Sequence, residues 1–197
     1  MGEAVRRCRM GSNHFGCVNN TIRLYSGKYL DLANPRPEDF TLADVARGLS
    51  HICRFGGQIE RFYSVAEHSH HCAMLAWQDG RSQPDRLACL MHDAAEAFAG
   101  DIVKPLKVML QGYDEVEKAV ERAIAQKWGI DFDGAADVVK EIDRSMLIAE
   151  RRTLFSADKV KWTGEDAVRK VQVNIGCWSP DLAMRLFIQQ AKELGCE

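Results

Sequence analysis

Leu87-Ala-Cys-Leu-Met-His92-Asp93-Ala-Ala-Glu96-Ala-Phe-Ala-Gly100-Asp101 is the stretch of this chain on which the fold turns. Residues 87–91 are apolar on every side of a 3.6-residue turn, and a helix without a polar face is one surrounded by other helices. Pro84 suits its first turn and Gly100 its end, so the spacing predicts one helix from Asp85 to Ala99. His92, Asp93 and Glu96 interrupt that apolar run and share one neighbourhood, at spacings of three and four. Burying them without partners is costly, so the run predicts a polar site inside a helical core.

The chain on either side also reads as helix. Thr41 with Asp44 resembles a capping box that opens a helix carrying Leu42, Val45, Leu49 and Ile52, expected to stop near Gly56-Gly57. Ser64 with Glu67 opens another, running to about Asp79 with an inward stripe of Val65, His68, Cys72, Leu75 and Ala76. Further helices are expected from about Asp114 to Trp128, from about Ala135 to Phe155 (Val139, Ile142, Met146), and from Ser179-Pro180 to Gly195. Ahead of them, Ile22 with Leu24 and Leu30 with Leu32 alternate across a Ser26-Gly27 turn as a short β-hairpin. The expected fold is all-α, a single-domain helical bundle with a small N-terminal β-hairpin. Residues 1–20 show no clear period and are expected as an N-terminal segment ahead of one domain over residues 21–197. In that segment Cys8, His14 and Cys17 match no common zinc spacing.

Composition narrows the function classes. A chain of 197 residues suits one hydrophobic core. With 26 Lys and Arg against 28 Asp and Glu, its net charge of −2 provides no field to hold a polyanion, so no polymeric nucleic acid is expected as partner. Arg6, Arg7 and Arg9 precede no apolar targeting region, and no stretch reaches the roughly 20 apolar residues of a membrane span. The seven cysteines are odd in number and contain no Cys-x-x-Cys pair, which fits a reducing cytoplasm, the host's if the chain is phage-encoded.

The polar groups in the core carry the chemistry. His68 faces inward on its helix, and Asp143 lies on an inward stripe, four residues after Val139 and three before Met146. Taken singly, each is more often a hydrogen-bonded core residue than a ligand. Together with His92 and Asp93, on three otherwise apolar helices, they offer two imidazoles and two carboxylates to one cation. That donor set suits manganese, cobalt, iron or nickel, and is compatible with magnesium or zinc. Glu96, one turn from the ligands, is placed to position a water or take its proton. His70 and His71 read as structural or solvated, and Cys72 and Cys89 as small core residues.

Tyr63-Ser-Val-Ala-Glu-His68-Ser, the run from Leu90 through His92-Asp93, Glu96, Gly100-Asp101 and Lys104-Pro to Lys107, and Ile142-Asp143-Arg together resemble the HD-domain phosphohydrolases. Within them the likeness is to the branch of YfbR-type 5′-deoxynucleotidases and DatZ-type dATP triphosphohydrolases, over residues 21–195. The resemblance implies one divalent metal ion per chain on His68, His92, Asp93 and Asp143. It also implies catalytic Glu96 and Asp101, and nucleotide contacts from Arg54-Phe55. That aromatic position is Trp in YfbR-type enzymes and Phe here, and a smaller ring still stacks on a base but lacks the indole donor.

Arg54, Lys104 and Lys107 are suited to neutralise phosphate oxygens, Asp101 to act as acid or hold a second water, and Phe55 to stack on a base. The cationic run with Arg54 leans the reading toward a dNTP triphosphohydrolase that releases triphosphate. The alternatives are a 5′-deoxynucleotidase acting on dNMP and a non-catalytic nucleotide-binding regulatory module. A dinuclear centre would need His70 or His71 as extra ligands. The expected partners are a small phosphorylated nucleotide and further copies of the chain, a homo-oligomer built on the wide apolar arc of the last helix, with no membrane.

Overall fold

The computed structural model of the chain describes residues 20–155, 160, 162 and 164–197. The N-terminal segment with its Cys8, His14 and Cys17 lies outside the described residues, save Asn20.

Alternation places β1 (Thr21–Arg23) against β2 (Tyr29–Asp31), antiparallel, with Ile22 opposite Leu30. Leu24 and Leu30 turn inward and are buried. The hairpin is held to α1 (Leu42–His51) by Asp44, whose Oδ1 accepts the Ser26 amide at 2.7 Å. Thr41 Oγ1 accepts the Asp44 amide at 3.1 Å and donates to Asp44 Oδ2 at 2.5 Å. Thr41 therefore caps α1, while Asp44 reaches the hairpin turn instead of closing a capping box.

α1 ends earlier than the glycine pair predicts. Ile52 and Cys53 are extended, Cys53 pairs with Ser64, and Arg54–Gly57 form a 3-10 turn in which Phe55 has φ 57° and Gly56 φ 60°. A left-handed phenylalanine is strained, and such residues persist only where their surroundings hold them.

In α2 (Val65–Gln78), Ser64 Oγ accepts the Glu67 amide at 3.1 Å. The Glu67 carboxylate does not turn back to its cap. It is fully buried and accepts the amides of Gly176 (2.8 Å), Cys177 (2.9 Å) and Trp178 (2.7 Å), fastening the chain ahead of the last helix to α2.

The helix expected over Asp85 to Ala99 is broken. α3 (Gln83–Met91) stops one residue before His92, and α4 (Glu96–Ala99) starts at Glu96. Between them the amides of Ala94, Glu96, Ala97 and Phe98 bond to carbonyls three residues back, a tighter winding than the α-helix. The cause is local: His92 Nδ1 donates to the Cys89 carbonyl at 2.9 Å, the acceptor that the Asp93 amide would use in a regular helix.

After Gly100 (φ 86°) come α5 (Lys104–Lys107), α6 (Tyr113–Trp128), α7 (Ala136–Leu154) and α8 (Pro180–Glu193), the last capped by Ser179. α2 lies at the centre, against α1, α3, α7 and α8. Of the apolar arc of α8 from which a homo-oligomer was expected, Ala183, Phe187 and Ala191 are buried, with Gln190, where α8 packs on α1 and α2, while Leu182, Met184, Leu186 and Ile188 are half-buried. Among the described residues no helix is long and apolar enough to cross a membrane.

α1 and α4 cross at Gly48, where a Cβ would sit 2.5 Å from the Ala97 carbonyl oxygen and 2.7 Å from Ala97 Cβ. Gly48→Val is expected to force this crossing apart at a cost of about 3 kcal/mol, lowering the melting temperature by roughly 5–10 °C. A thermal melt that matches the parent would contradict so close an approach.

Candidate metal centre and cleft

The break after α3 aims two successive side chains at one point, where α2 and α7 each add one more. His68 Nε2 lies 3.3 Å from His92 Nε2, 3.5 Å from Asp93 Oδ2 and 3.3 Å from Asp143 Oδ1. His92 Nε2 lies 3.2 Å from Asp93 Oδ1 and 3.9 Å from Asp143 Oδ1. His68 is fully buried, whereas the Asp143 side chain is 39% exposed, so the cluster opens on the Asp143 side.

Both imidazoles have their far nitrogens engaged. His68 Nδ1 donates to Glu150 Oε1 at 2.5 Å, and His92 Nδ1 donates to the Cys89 carbonyl. Glu150 also accepts the Tyr63 hydroxyl at 2.8 Å and Arg54 Nη2 at 3.3 Å, while Arg54 Nη1 donates to Asp93 Oδ2 at 3.3 Å. One buried network therefore runs from Tyr63 through Glu150 and Arg54 to the cluster.

The electrostatics follow from burial and these partners. Burial disfavours the imidazolium of His92, but the Asp93 carboxylate, with Cys72 and Asp143, outweighs it and lifts the pKa to about 10. His68 is likewise raised well above the usual range, against burial and Arg54, by Cys72, Glu150 and Asp143. Burial pushes Asp93 and Asp143 up, and the imidazoles more than reverse it, holding both carboxyls below their ordinary value. For Glu150, burial is overridden by Arg54, His68 and Tyr63, leaving the pKa at about 2.

Carboxylates held this low around a shared buried point call for positive charge. Protons on the imidazoles supply it, and a divalent cation would supply more. With each Nδ1 proton fixed outward, an ion that displaces the Nε2 protons would meet inward-facing lone pairs, the orientation metal-bound histidines adopt. Donor atoms of one ion at about 2.0–2.2 Å stand roughly 3–3.6 Å apart, which the separations here approach. The residues present thus fit a divalent metal.

The cluster forms the floor of a cleft of about 830 Å³. Of the ten residues singled out in the sequence, Arg54, Phe55, Asp93, Glu96, Asp101, Lys104, Lys107 and Asp143 line it, with His68 and His92 behind. Glu96 Oε2 is buried and makes no hydrogen bond among the described residues. Burial, with Asp93 and Asp101 nearby, raises its pKa to about 9. Burial also raises Asp101, against the pull of Arg54.

The cations are less available than the sequence implied. Lys107 Nζ pairs with Glu117 and lies 5.3 Å from the Tyr113 ring centre, and Arg54 is shared between Asp93 and Glu150. Lys104 and Lys118 line the cleft and form no ion pair among the described residues. Phe55 meets Phe155 edge-on at 5.1 Å and Trp162 at 6.4 Å, so its ring belongs to an aromatic wall. His70 and His71 pack on Trp178, with ring centres 5.2 and 5.0 Å away, and line no part of the cleft. Burial lowers His70 to about 4.

Sequence reasoning missed Glu150, Tyr63 as its partner, Glu117, Lys118 and Trp162. Glu150 had a signal: it lies seven residues after Asp143, two turns along the same face of α7. Trp162 sits in irregular chain and had none.

Comparison with known proteins adds three likenesses. The family model described as HD domain matches residues 53–142. The chain is 33% identical over 174 residues to the uncharacterized protein YfdR of Escherichia coli (strain K12), spanning 88% of this chain and 94% of the relative. It is 26% identical over 155 residues to the 5′-deoxynucleotidase PM0747 of Pasteurella multocida (strain Pm70), spanning 64% of this chain and 78% of that one.

Proposed function

Because the chain belongs to the HD-domain family, we propose that it is a metal-dependent phosphohydrolase of deoxynucleotides, with His68, His92, Asp93 and Asp143 holding one divalent ion. The observation that carries this reading is the convergence of four donor side chains on the floor of a cleft where Glu96 Oε2 is buried without a hydrogen-bond partner among the described residues. Manganese, cobalt, iron or nickel suit the donors, and magnesium or zinc are compatible. Such an ion supplies Lewis acidity for phosphoryl oxygen and makes water a better nucleophile.

The remaining work falls to the chain's own side chains. Glu96 accepts the proton of the attacking water at Oε2, and its high proton affinity makes it a stronger base than an ordinary carboxylate. Asp101, also raised, hands a proton to the leaving oxygen. Lys104 neutralises non-bridging oxygens, and Phe55 with Trp162 gives the base an aromatic wall. Arg54, shared between Asp93 and Glu150, and Lys107, paired with Glu117, play lesser parts. Below its pKa Glu96 holds a proton and is no base, so kcat/KM is expected to climb with pH as Glu96 ionises; the value of about 9 belongs to the metal-free chain, and a cation on Asp93 lowers it. A profile with no ascending limb would remove Glu96 from this role.

Deoxynucleoside monophosphates are the substrates this geometry supports best. Two of the three cations that favoured a triphosphate are bound by carboxylates of the chain, and a relative bears the name 5′-deoxynucleotidase. A second reading, a dNTP triphosphohydrolase of the DatZ type, is favoured by the cleft's extension past Lys104 to Lys118. Incubating dAMP, dGMP, dATP and dGTP with manganese or cobalt and separating the inorganic products distinguishes them. Orthophosphate from monophosphates is the expected result, tripolyphosphate establishes the second reading, and binding without turnover makes the protein a nucleotide-binding module.

A cytoplasmic homo-oligomer fits this activity. Val108 and Met109, each 77% exposed, add apolar surface to the half-buried residues of α8, and light scattering measures the assembly.

A further inference from the structure

The cleft has room for more than a nucleoside monophosphate. Its volume of about 830 Å³ lies toward the upper end of the roughly 300–1,000 Å³ of small-molecule sites, so space does not choose between one phosphate and three. Charge along the wall built by α5 and the start of α6 can choose. Past Lys104 the charged residues described on that wall are Lys107 and Lys118 against Asp114 and Glu117, so it carries no net charge.

Lys107 is held there from two sides. Its Nζ pairs with Glu117 and lies 5.3 Å from the Tyr113 ring centre, and those two residues stand one turn apart on α6. The Glu117 side chain is only 15% exposed, so the pair is shielded from solvent more than an ordinary surface pair. Lys104, one turn earlier on α5, forms no ion pair among the described residues and stays open to phosphate.

We propose that Glu117 is a specificity-determining residue: by claiming Lys107 and setting a carboxylate on the cleft wall, it restricts the site to nucleoside monophosphates. The proposal rests on the phosphohydrolase reading above. A monophosphate at the metal centre needs only Lys104. A triphosphate extending along the wall meets a lysine already neutralised and the carboxylates of Glu117 and Asp114, so its added negative charge goes uncompensated. Discrimination then comes from an unfavourable contact for the larger ligand, without any new contact for the smaller one.

The test is the ratio of dATP to dAMP affinity, measured by calorimetry on metal-free protein in chelator, where nothing turns over. Should neither nucleotide bind without metal, the same ratio is read from kcat/KM with manganese. In Glu117→Gln the ratio is expected to rise about tenfold or more, because a charge-assisted contact from Lys107 becomes available. The gain is expected to vanish in the double variant Lys107→Met/Glu117→Gln, which a merely structural role for Glu117 would not produce. A ratio equal to the parent's in Glu117→Gln overturns the proposal and leaves the phosphohydrolase reading standing, and a gain that persists in the double variant overturns the capture of Lys107. A parent that neither binds nor hydrolyses either nucleotide overturns both. Should Glu117→Gln not fold, Glu117→Asp decides, since its carboxylate falls one methylene short of Lys107: a rise in the ratio supports the proposal, and no rise overturns it.

Discussion

Glu96→Gln is expected to abolish hydrolysis and, in the same variant, to raise the melting temperature of the metal-free protein at alkaline pH. Loss of a positioned base lowers kcat by about 10²–10⁴-fold. Metal affinity is retained, because Glu96 is not among the four donors. The stability gain follows from linkage. The Glu96 pKa in the folded chain is about 9, against an ordinary 4.5, so between those values the folded state binds the proton more tightly than the unfolded state. Stability from this group is therefore complete below about pH 4.5 and is lost as pH rises toward 9. Glutamine keeps the shape and removes the titration, so at pH 8 the variant should melt roughly 5–10 °C higher, and the difference should vanish near pH 4.5. Hydrolysis equal to that of the parent would remove Glu96 from the reaction. A variant that loses activity and also melts lower would make the residue structural.

Glu150→Gln is expected to act in the opposite direction on stability and to weaken metal binding. Glu150 is fully buried and receives Tyr63, His68 Nδ1 and Arg54 at once. An amide there cannot accept from all three, and it leaves the Arg54 guanidinium with Asp93 alone. Breaking a buried charged pair of this kind costs about 3–5 kcal/mol, or roughly 10 °C in melting temperature. Loss of the group that orients a metal-binding histidine lowers affinity about 10–100-fold. The pH dependence provides a signature. The carboxyl sits at about 2 in the folded chain, below its ordinary 4.5, so its stabilisation is present above pH 4.5 and disappears as pH falls toward 2. The variant should therefore lose part of the parent's acid-induced destabilisation between those values. An unchanged acid limb and unchanged manganese affinity would show that the network does not hold His68.

Most of the helices were legible because burial imposes a 3.6-residue rhythm that needs no knowledge of what lies opposite. Cap residues were legible for the same reason, with Thr41, Ser64 and Ser179 each accepting an amide of its own first turn. The acids paired with two of those caps were not. Asp44 and Glu67 follow their caps at box spacing, yet each carboxylate binds backbone far along the chain, at Ser26 and at Gly176 to Trp178. A local pattern shows that a carboxylate is available and cannot show which distant amides outbid the near one. The single helix read through His92 failed for a related reason: apolar spacing continues through a break that one ring nitrogen makes by taking the Cys89 carbonyl.

The all-α class, the hairpin and the inward placement of the polar His68, His92, Asp93 and Asp143 follow from residue type and period along the chain. No such pattern shows that these four meet at one point, that Glu150 stands behind His68 with Arg54 clamped beside it, that Glu117 neutralises Lys107, or that Cys72 packs on the His68 ring. Such facts depend on how helices turn about their axes as they pack. Dozens of apolar contacts spread over the core set that rotation together, and no spacing within one helix contains it.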